Sequence, residues 1–219
     1  MRFMLCLIPF WIFASLPNYP GIQELSSAPR VYFIPNFLSE KECDYLIELA
    51  KPNLVKSAVV NEEGGGTKAD YRRNSEGAWF PSSPSDKILQ MIERRIVDLT
   101  GVPQSHGEAL HVLHYGIGGE YQPHYDYFNM NTKGGIEQCI RGGQRIASCI
   151  MYLNTPAAGG ETIFPQAKLS IVPKKGAALL FYNCLPTGEV DPLTLHGGAP
   201  VKGGEKWIMT KWIRTGEFR

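Results

Sequence analysis

His124 and Asp126 stand two residues apart in Tyr121-Gln-Pro-His-Tyr-Asp-Tyr-Phe128, and a third histidine, His196, lies far downstream before Gly197 and Gly198. Two imidazoles and a carboxylate are donors for a divalent transition metal. Side chains two apart on a β-strand project from the same face, so the first pair can grip one ion while the third ligand arrives from another strand. Ligands gathered on one side of an octahedral ion leave the opposite positions open, which suits non-heme Fe(II) and oxygen chemistry.

Lys206 bears on what fills those positions. In Gly204-Glu-Lys-Trp-Ile-Met-Thr-Lys-Trp-Ile-Arg214, strand alternation puts Lys206, Ile208, Thr210 and Trp212 on one face and Trp207, Met209, Lys211 and Ile213 on the other. A buried ammonium without a counter-ion is costly, so an inward-facing Lys206 implies a bound anion. Solvation at the strand end is the plain alternative. His111 and His114 read as ordinary packed or surface histidines. Tyr121, Tyr125, Tyr127, Phe128, Trp79 and Trp212 are either core or the aromatic wall of a groove for an extended, proline-rich peptide.

These residues need a scaffold. Ser39-Glu-Lys-Glu42 is a capping box opening a helix with apolar positions Cys43, Leu46, Ile47 and Ala50. A second helix is predicted from Ser83 as N-cap and Pro84 as first residue, through Ile88, Met91, Ile92, Ile96 and Leu99, to a stop at Gly101. Asn61 to Lys68 reads as a polar loop, either mobile near the site or an inert hairpin. From residue 108 strand periods take over, at 109–115, 145–154, 161–164, 169–172, 177–182, 193–196 and 206–214. Helices followed by many short strands predict an α+β domain, with N-terminal helices packed on one sheet of a double-stranded β-helix (jelly roll).

The chain has 219 residues, 43% of them hydrophobic, enough for one well-buried domain. A formal charge of +1 gives no reason to expect nucleic acid. Residues 1 to 16 form an apolar run after one arginine, shorter than the about 20 residues of a membrane-spanning helix. Residues 1–28 are therefore read as a hydrophobic leader (signal peptide or short anchor) and linker, and 29–219 as the folded domain. That reading favours the secretory pathway (ER lumen, periplasm or secreted) over the cytoplasm, with membrane contact only through such an anchor. Five cysteines, none in a Cys-x-x-Cys pair, disfavour a zinc cluster and leave disulfides open. Nothing in the sequence sets the oligomeric state.

Taken together, Tyr115, Tyr121, His124-x-Asp126, Arg145, Gly159-Gly-Glu-Thr162 and His196-x9-Lys206-Trp207-x2-Thr210-Lys-Trp212 closely resemble the catalytic domain of prolyl 4-hydroxylases, which are Fe(II)- and 2-oxoglutarate-dependent dioxygenases. Phe37-Leu-Ser-x-Lys-Glu-Cys43 and Arg73-Asn-Ser-x-Gly77 resemble that family's early helix and its Arg-x-Ser loop, so the resemblance runs from about residue 30 to the end. It implies that His124, Asp126 and His196 bind Fe(II). It further implies that Lys206, helped by Tyr115 and Thr162, binds the distal carboxylate of 2-oxoglutarate, and that Tyr121, Arg145 and Trp212 contact a proline-containing peptide. O2 would be the oxidant and L-ascorbate the reductant that keeps the iron usable. The stretch Asn129 to Gly143 departs from the family by its length. Two other readings remain: the same chemistry on a lysyl side chain or small molecule, and a zinc-dependent hydrolase using the same ligands.

Overall fold

The computed structural model describes residues 19–69, 72–81, 83 and 85–219. The expected leader at 1–16 lies outside them, as does Pro84. In chain order the first half contains β1 (Gln23–Ser27), β2 (Arg30–Ile34), α1 (Glu40–Ala50), β3 (Val55–Lys56), β4 (Ala58–Val60), β5 (Thr67–Ala69), β6 (Glu76–Phe80) and α2 (Lys87–Thr100). The second half contains β7 (Leu110–Tyr115), β8 (Tyr121–His124), α3 (Lys133–Ile140), β9 (Arg145–Tyr152), β10 (Ala158–Gly159), β11 (Thr162–Phe164), β12 (Leu169–Ile171), β13 (Ala178–Tyr182), β14 (His196–Gly198), β15 (Val201–Gly203) and β16 (Lys206–Arg214).

Eight strands form a large sheet in the order β1-β2-β13-β9-β16-β7-β6-β3, and four form a second sheet, β12-β11-β14-β8. Each face of the large sheet has its own cover. Trp207, Met209 and Ile213 of β16 pack with Cys43, Leu46 and Ala50 of α1 and Leu89, Ile92, Ile96 and Leu99 of α2. On the opposite face, Leu113, Tyr115, Ile150, Tyr152 and Ile208 meet Phe164 and Ile171 of the second sheet. This is the α+β jelly roll with helices on one sheet. All nine β16 residues are buried because the strand is covered on both faces.

Several local expectations change. The linker reading fails at Gln23–Ser27, which pairs antiparallel with β2 and extends the large sheet. Its sequence Gln-Glu-Leu-Ser-Ser shows little apolar signal because the strand is an exposed edge. The capping box of α1 forms as expected, with Ser39 accepting from Glu42 N and the Glu42 carboxylate accepting from Ser39 N at 2.8 Å. The second helix is capped by Asp86 instead of Ser83 and starts at Lys87, because the Asp86 carboxylate accepts from both Ile88 N and Leu89 N, at 2.9 and 3.0 Å. A charged acceptor facing the positive helix end outcompetes a hydroxyl. The strand expected at 193–196 begins only at His196. Pro192–Thr194 instead forms a 3₁₀ turn capped by the Asp191 side chain.

The long stretch 129–143 holds an unforeseen helix, α3, capped by Thr132. Gly134 and Gly135 mask it in the sequence, and a Cβ on Gly134 would overlap the backbone oxygen of Asn61. The Asn61–Lys68 stretch forms the turn of the β4–β5 hairpin, at 61–66, and the start of β5, and the turn docks on α3 through a Gly134 N to Glu62 O hydrogen bond of 2.9 Å.

Candidate active site

The second sheet brings the two distant histidines together. β14 pairs with β8 in a register that sets His196 opposite His124. Asp126 lies just past the end of β8, so it reaches the histidines from a bend and not from the same strand face. Asp126 Oδ1 is 3.6 Å from His124 Nε2, and Asp126 Oδ2 is 3.6 Å from His196 Nε2. The three ligating atoms lie within 4.8 Å of one another, the one such His/Cys/Asp/Glu cluster of three or more among the described residues.

Hydrogen bonds aim these atoms. Each histidine Nδ1 is 2.9 Å from a backbone carbonyl, Gln122 O for His124 and Thr194 O for His196. A carbonyl only accepts, so Nδ1 carries the proton and Nε2 keeps its lone pair for a metal. Asp126 Oδ2 accepts from Ser148 Oγ at 2.6 Å, and Ser148 Oγ accepts from Asn183 Nδ2 at 3.0 Å. Burial disfavours ionised Asp126, yet His196, His124 and Arg145 outweigh it and hold the carboxyl well below the usual range. Burial pushes His196 down to about 4, against the pull of Asp126. Two Nε2 atoms left free by the Nδ1–H bonds, beside a carboxylate, form a donor set that fits Fe(II).

The cavity beside the triad is lined by Tyr115, Thr162, Lys206, Ile208 and Trp212, among others. Lys206, Ile208, Thr210 and Trp212 all line it, as β16 alternation requires, while Trp207 and Met209 face the helices. Lys206 is only 3% exposed and has no ion-pair partner among the described residues. Burial pushes its ammonium down to about 8, opposed by Glu161. Tyr115 pairs with Lys206 across β7 and β16, and Lys206 Nζ is 5.7 Å from the Tyr115 ring centre. Thr162 is buried on the same cavity, its hydroxyl accepting from Tyr152 at 2.8 Å and left free to donate. A buried unpaired cation beside a hydroxyl donor is built for one end of an anion.

The mouth of the cavity is aromatic. Tyr121 stacks on His124 with ring centres 3.6 Å apart, and burial raises its phenol to about 12. Trp79, half exposed, stacks on His111 at 3.7 Å, and both adjoin Trp212. His111, kept neutral by burial, has its pKa pushed down to about 2. Arg145 is the one expected site residue that does not line the cavity. Its guanidinium lies 4.1 Å over Trp212 and pairs with Glu108 at 2.6 and 2.8 Å. Sequence reasoning missed Ser148 and Glu108 as supports. It also read Arg73 only as part of a loop, although Arg73 lines the cavity and lies 5.0 Å over the Tyr121 ring.

Residues 110–214 match the family model of the 2OG-Fe(II) oxygenase superfamily. The chain is 45% identical over 218 residues to "Probable prolyl 4-hydroxylase 3" of Arabidopsis thaliana, covering 90% of this chain and 73% of that protein. It is 44% identical to Arabidopsis "Prolyl 4-hydroxylase 5", covering 90% and 72%. Among solved structures, the viral collagen prolyl hydroxylase of Paramecium Bursaria Chlorella virus-1, in its 2OG complex, superposes with a TM-score of 0.64 at 34% identity, covering 84% of this chain and 95% of that one. A Pseudomonas putida prolyl-4-hydroxylase, 19% identical with a TM-score of 0.56, shares the fold.

Proposed function

The chain belongs to the prolyl 4-hydroxylases within the 2OG-Fe(II) oxygenase superfamily, and from that premise we propose the reaction and the residues that carry it. It hydroxylates peptidyl-proline to 4-hydroxyproline, consuming 2-oxoglutarate and O2 and releasing succinate and CO2. The observation that carries this reading is Lys206, a buried ammonium with no ion-pair partner among the described residues, on the cavity beside the His124, Asp126 and His196 cluster. Zinc hydrolysis on the same ligands would give that ammonium no counter-ion.

In this assignment His124 Nε2, His196 Nε2 and an Asp126 oxygen hold Fe(II), with each histidine oriented by the Nδ1–H bond to its carbonyl. Bound Fe(II) and 2-oxoglutarate supply the oxidation, in which the co-substrate loses CO2 and one oxygen atom enters the proline C–H bond. Lys206 pairs with the distal carboxylate, and the Tyr115 and Thr162 hydroxyls donate to it. Leu113, Ile150 and Ile208 line the cavity and exclude water. Tyr121 and Trp212 form walls against which the peptide's proline ring docks, and Arg145 acts through Trp212, on which it is stacked. L-ascorbate would serve as the reductant that keeps bound iron usable. The apolar run at residues 1–16 supports entry into the secretory pathway; among the described residues no helix is long and apolar enough to cross a membrane.

The test is incubation of purified protein with Fe(II), 2-oxoglutarate, ascorbate and poly-proline or collagen-like peptides. A gain of one oxygen on proline, matched by succinate, is expected. Oxidation confined to lysine or to small molecules would overturn the prolyl reading.

A further inference from the structure

Glu108, Arg145 and Arg214 form a buried charge cluster behind Trp212. Glu108 Oε1 lies 2.6 Å from Arg145 Nε and 2.7 Å from Arg214 Nε. The second contact is a charge pair without an aligned hydrogen bond, since the Arg214 Nε–H has no acceptor in line. Arg145 then lies over Trp212, and Phe128 is flanked by both guanidiniums, at 4.7 Å from Arg145 and 4.5 Å from Arg214.

Arg214 also reaches α3. Its Nη1 donates to Gln138 O at 3.2 Å and Gly143 O at 2.6 Å, inside and just past the last turn of that helix. Gln144, next in the chain, clamps the Phe128 backbone by accepting from Phe128 N at 2.7 Å and donating to Phe128 O at 2.9 Å. Two guanidiniums on one carboxylate leave a net buried positive charge, which is costly unless other groups take it up. Here the carbonyls of α3 and the faces of Phe128 and Phe218 do so.

We propose that Arg214 is a positioning residue, which locks the Glu108–Arg145 pair under Trp212 and ties it to α3, so that segment 129–143 sets the orientation of the peptide-binding wall. The identity of the peptide rests on the prolyl hydroxylase reading above. Arg214 itself, fully buried, touches neither the cavity nor the metal cluster. A purely structural Arg214 would hold the C-terminal strand in place without selecting between substrates.

The experiment compares full-length wild type with Arg214→Gln and Arg214→Lys. Two readouts are used: the KM values for poly-proline and 2-oxoglutarate, and the indole N–H NMR signal of Trp212, assigned with Trp212→Phe. Arg214→Gln is expected to raise the poly-proline KM about tenfold, leave the 2-oxoglutarate KM within about twofold and lower the hydroxyproline yield per succinate. The Trp212 signal should move while that of Trp207 stays. Arg214→Lys keeps the charge, but its single ammonium replaces two nitrogens, Nε at Glu108 and Nη1 at the Gln138 and Gly143 carbonyls, and it should give the same pattern at about a third of the size. Unchanged poly-proline KM and Trp212 signal in either folded variant, or equal rises in both KM values, would overturn the proposal. If wild type failed to hydroxylate proline, the substrate reading would fall, while the Trp212 signal would still decide whether Arg214 positions it.

Discussion

His196 faces His124 across the β8–β14 pair, and each donates its Nδ1 proton to the carbonyl two residues earlier in its own strand or turn, Gln122 and Thr194. The repeated i−2 bond gives both imidazoles the same tautomer and points both Nε2 atoms at Asp126. His124→Ala or His196→Ala should therefore abolish Fe(II)-dependent succinate release with the fold intact. Anaerobic Fe(II) titration is the check, and wild-type affinity in either variant would remove that histidine from the ligand set.

Ser148 supports this set through Asp126 Oδ2 at 2.6 Å. Removing such an outer partner commonly costs about 10–100-fold in metal affinity. Ser148→Ala should weaken Fe(II) binding by about tenfold, and Asn183→Ala, one bond further out, by less. A smaller loss in Ser148→Ala than in Asn183→Ala would reverse this order of support.

Lys206 gives a pH signature. Its ammonium is pushed down to about 8, so the charge is present below that pH and lost above it. The 2-oxoglutarate KM should be flat below pH 8 and rise about tenfold per pH unit above it. Lys206→Arg, which stays charged, should remove the rise even if it weakens binding overall. A KM that is flat from pH 7 to 10 in wild type would dissociate Lys206 from co-substrate binding.

At the helix layer, the Arg95 guanidinium holds the Glu42 carboxyl down to about 2 against burial, with help from Ser39. A depressed carboxyl contributes stability that is fully present above its unfolded pKa and is lost as pH falls. The window here runs from about 4.5 down to about 2. Screening of a partly exposed Arg95 brings its worth to about 1–2 kcal/mol. Glu42→Gln should flatten the pH dependence of Tm in that window, and a thermal melt series that still slopes as in wild type would refute the assignment.

Trp212 lines the cavity without touching the metal cluster and should act on peptide alone. Truncating an aromatic anchor commonly costs more than about 1 kcal/mol of binding. Trp212→Ala should raise the poly-proline KM by about tenfold or more with little change for 2-oxoglutarate, measured in parallel titrations. A shift of both constants together would mean that the cavity itself has collapsed.

Much of the site is legible in local pattern. The β16 alternation Lys206, Ile208, Thr210, Trp212 predicts the cavity face because a strand covered on both sides must sort its side chains by the pleat. The α1 capping box is similarly local, since Ser39 and Glu42 satisfy each other within one turn. The edge strand β1 is not legible, since an exposed edge carries no apolar alternation.

What the sequence by itself determined is the ligand chemistry: two histidines, an aspartate and a lysine whose spacing and alternation permit one metal cluster and one anion site. Only the tertiary structure decided that Asp126 approaches from a bend, that α3 exists behind its glycines, and that Glu108 joins Arg145 to Arg214. The reason is range. Periodicity reports what each side chain must bury within a few residues, whereas Gly134 is explained only by Asn61 and Arg145 only by Glu108, partners that become neighbours when the chain closes long loops.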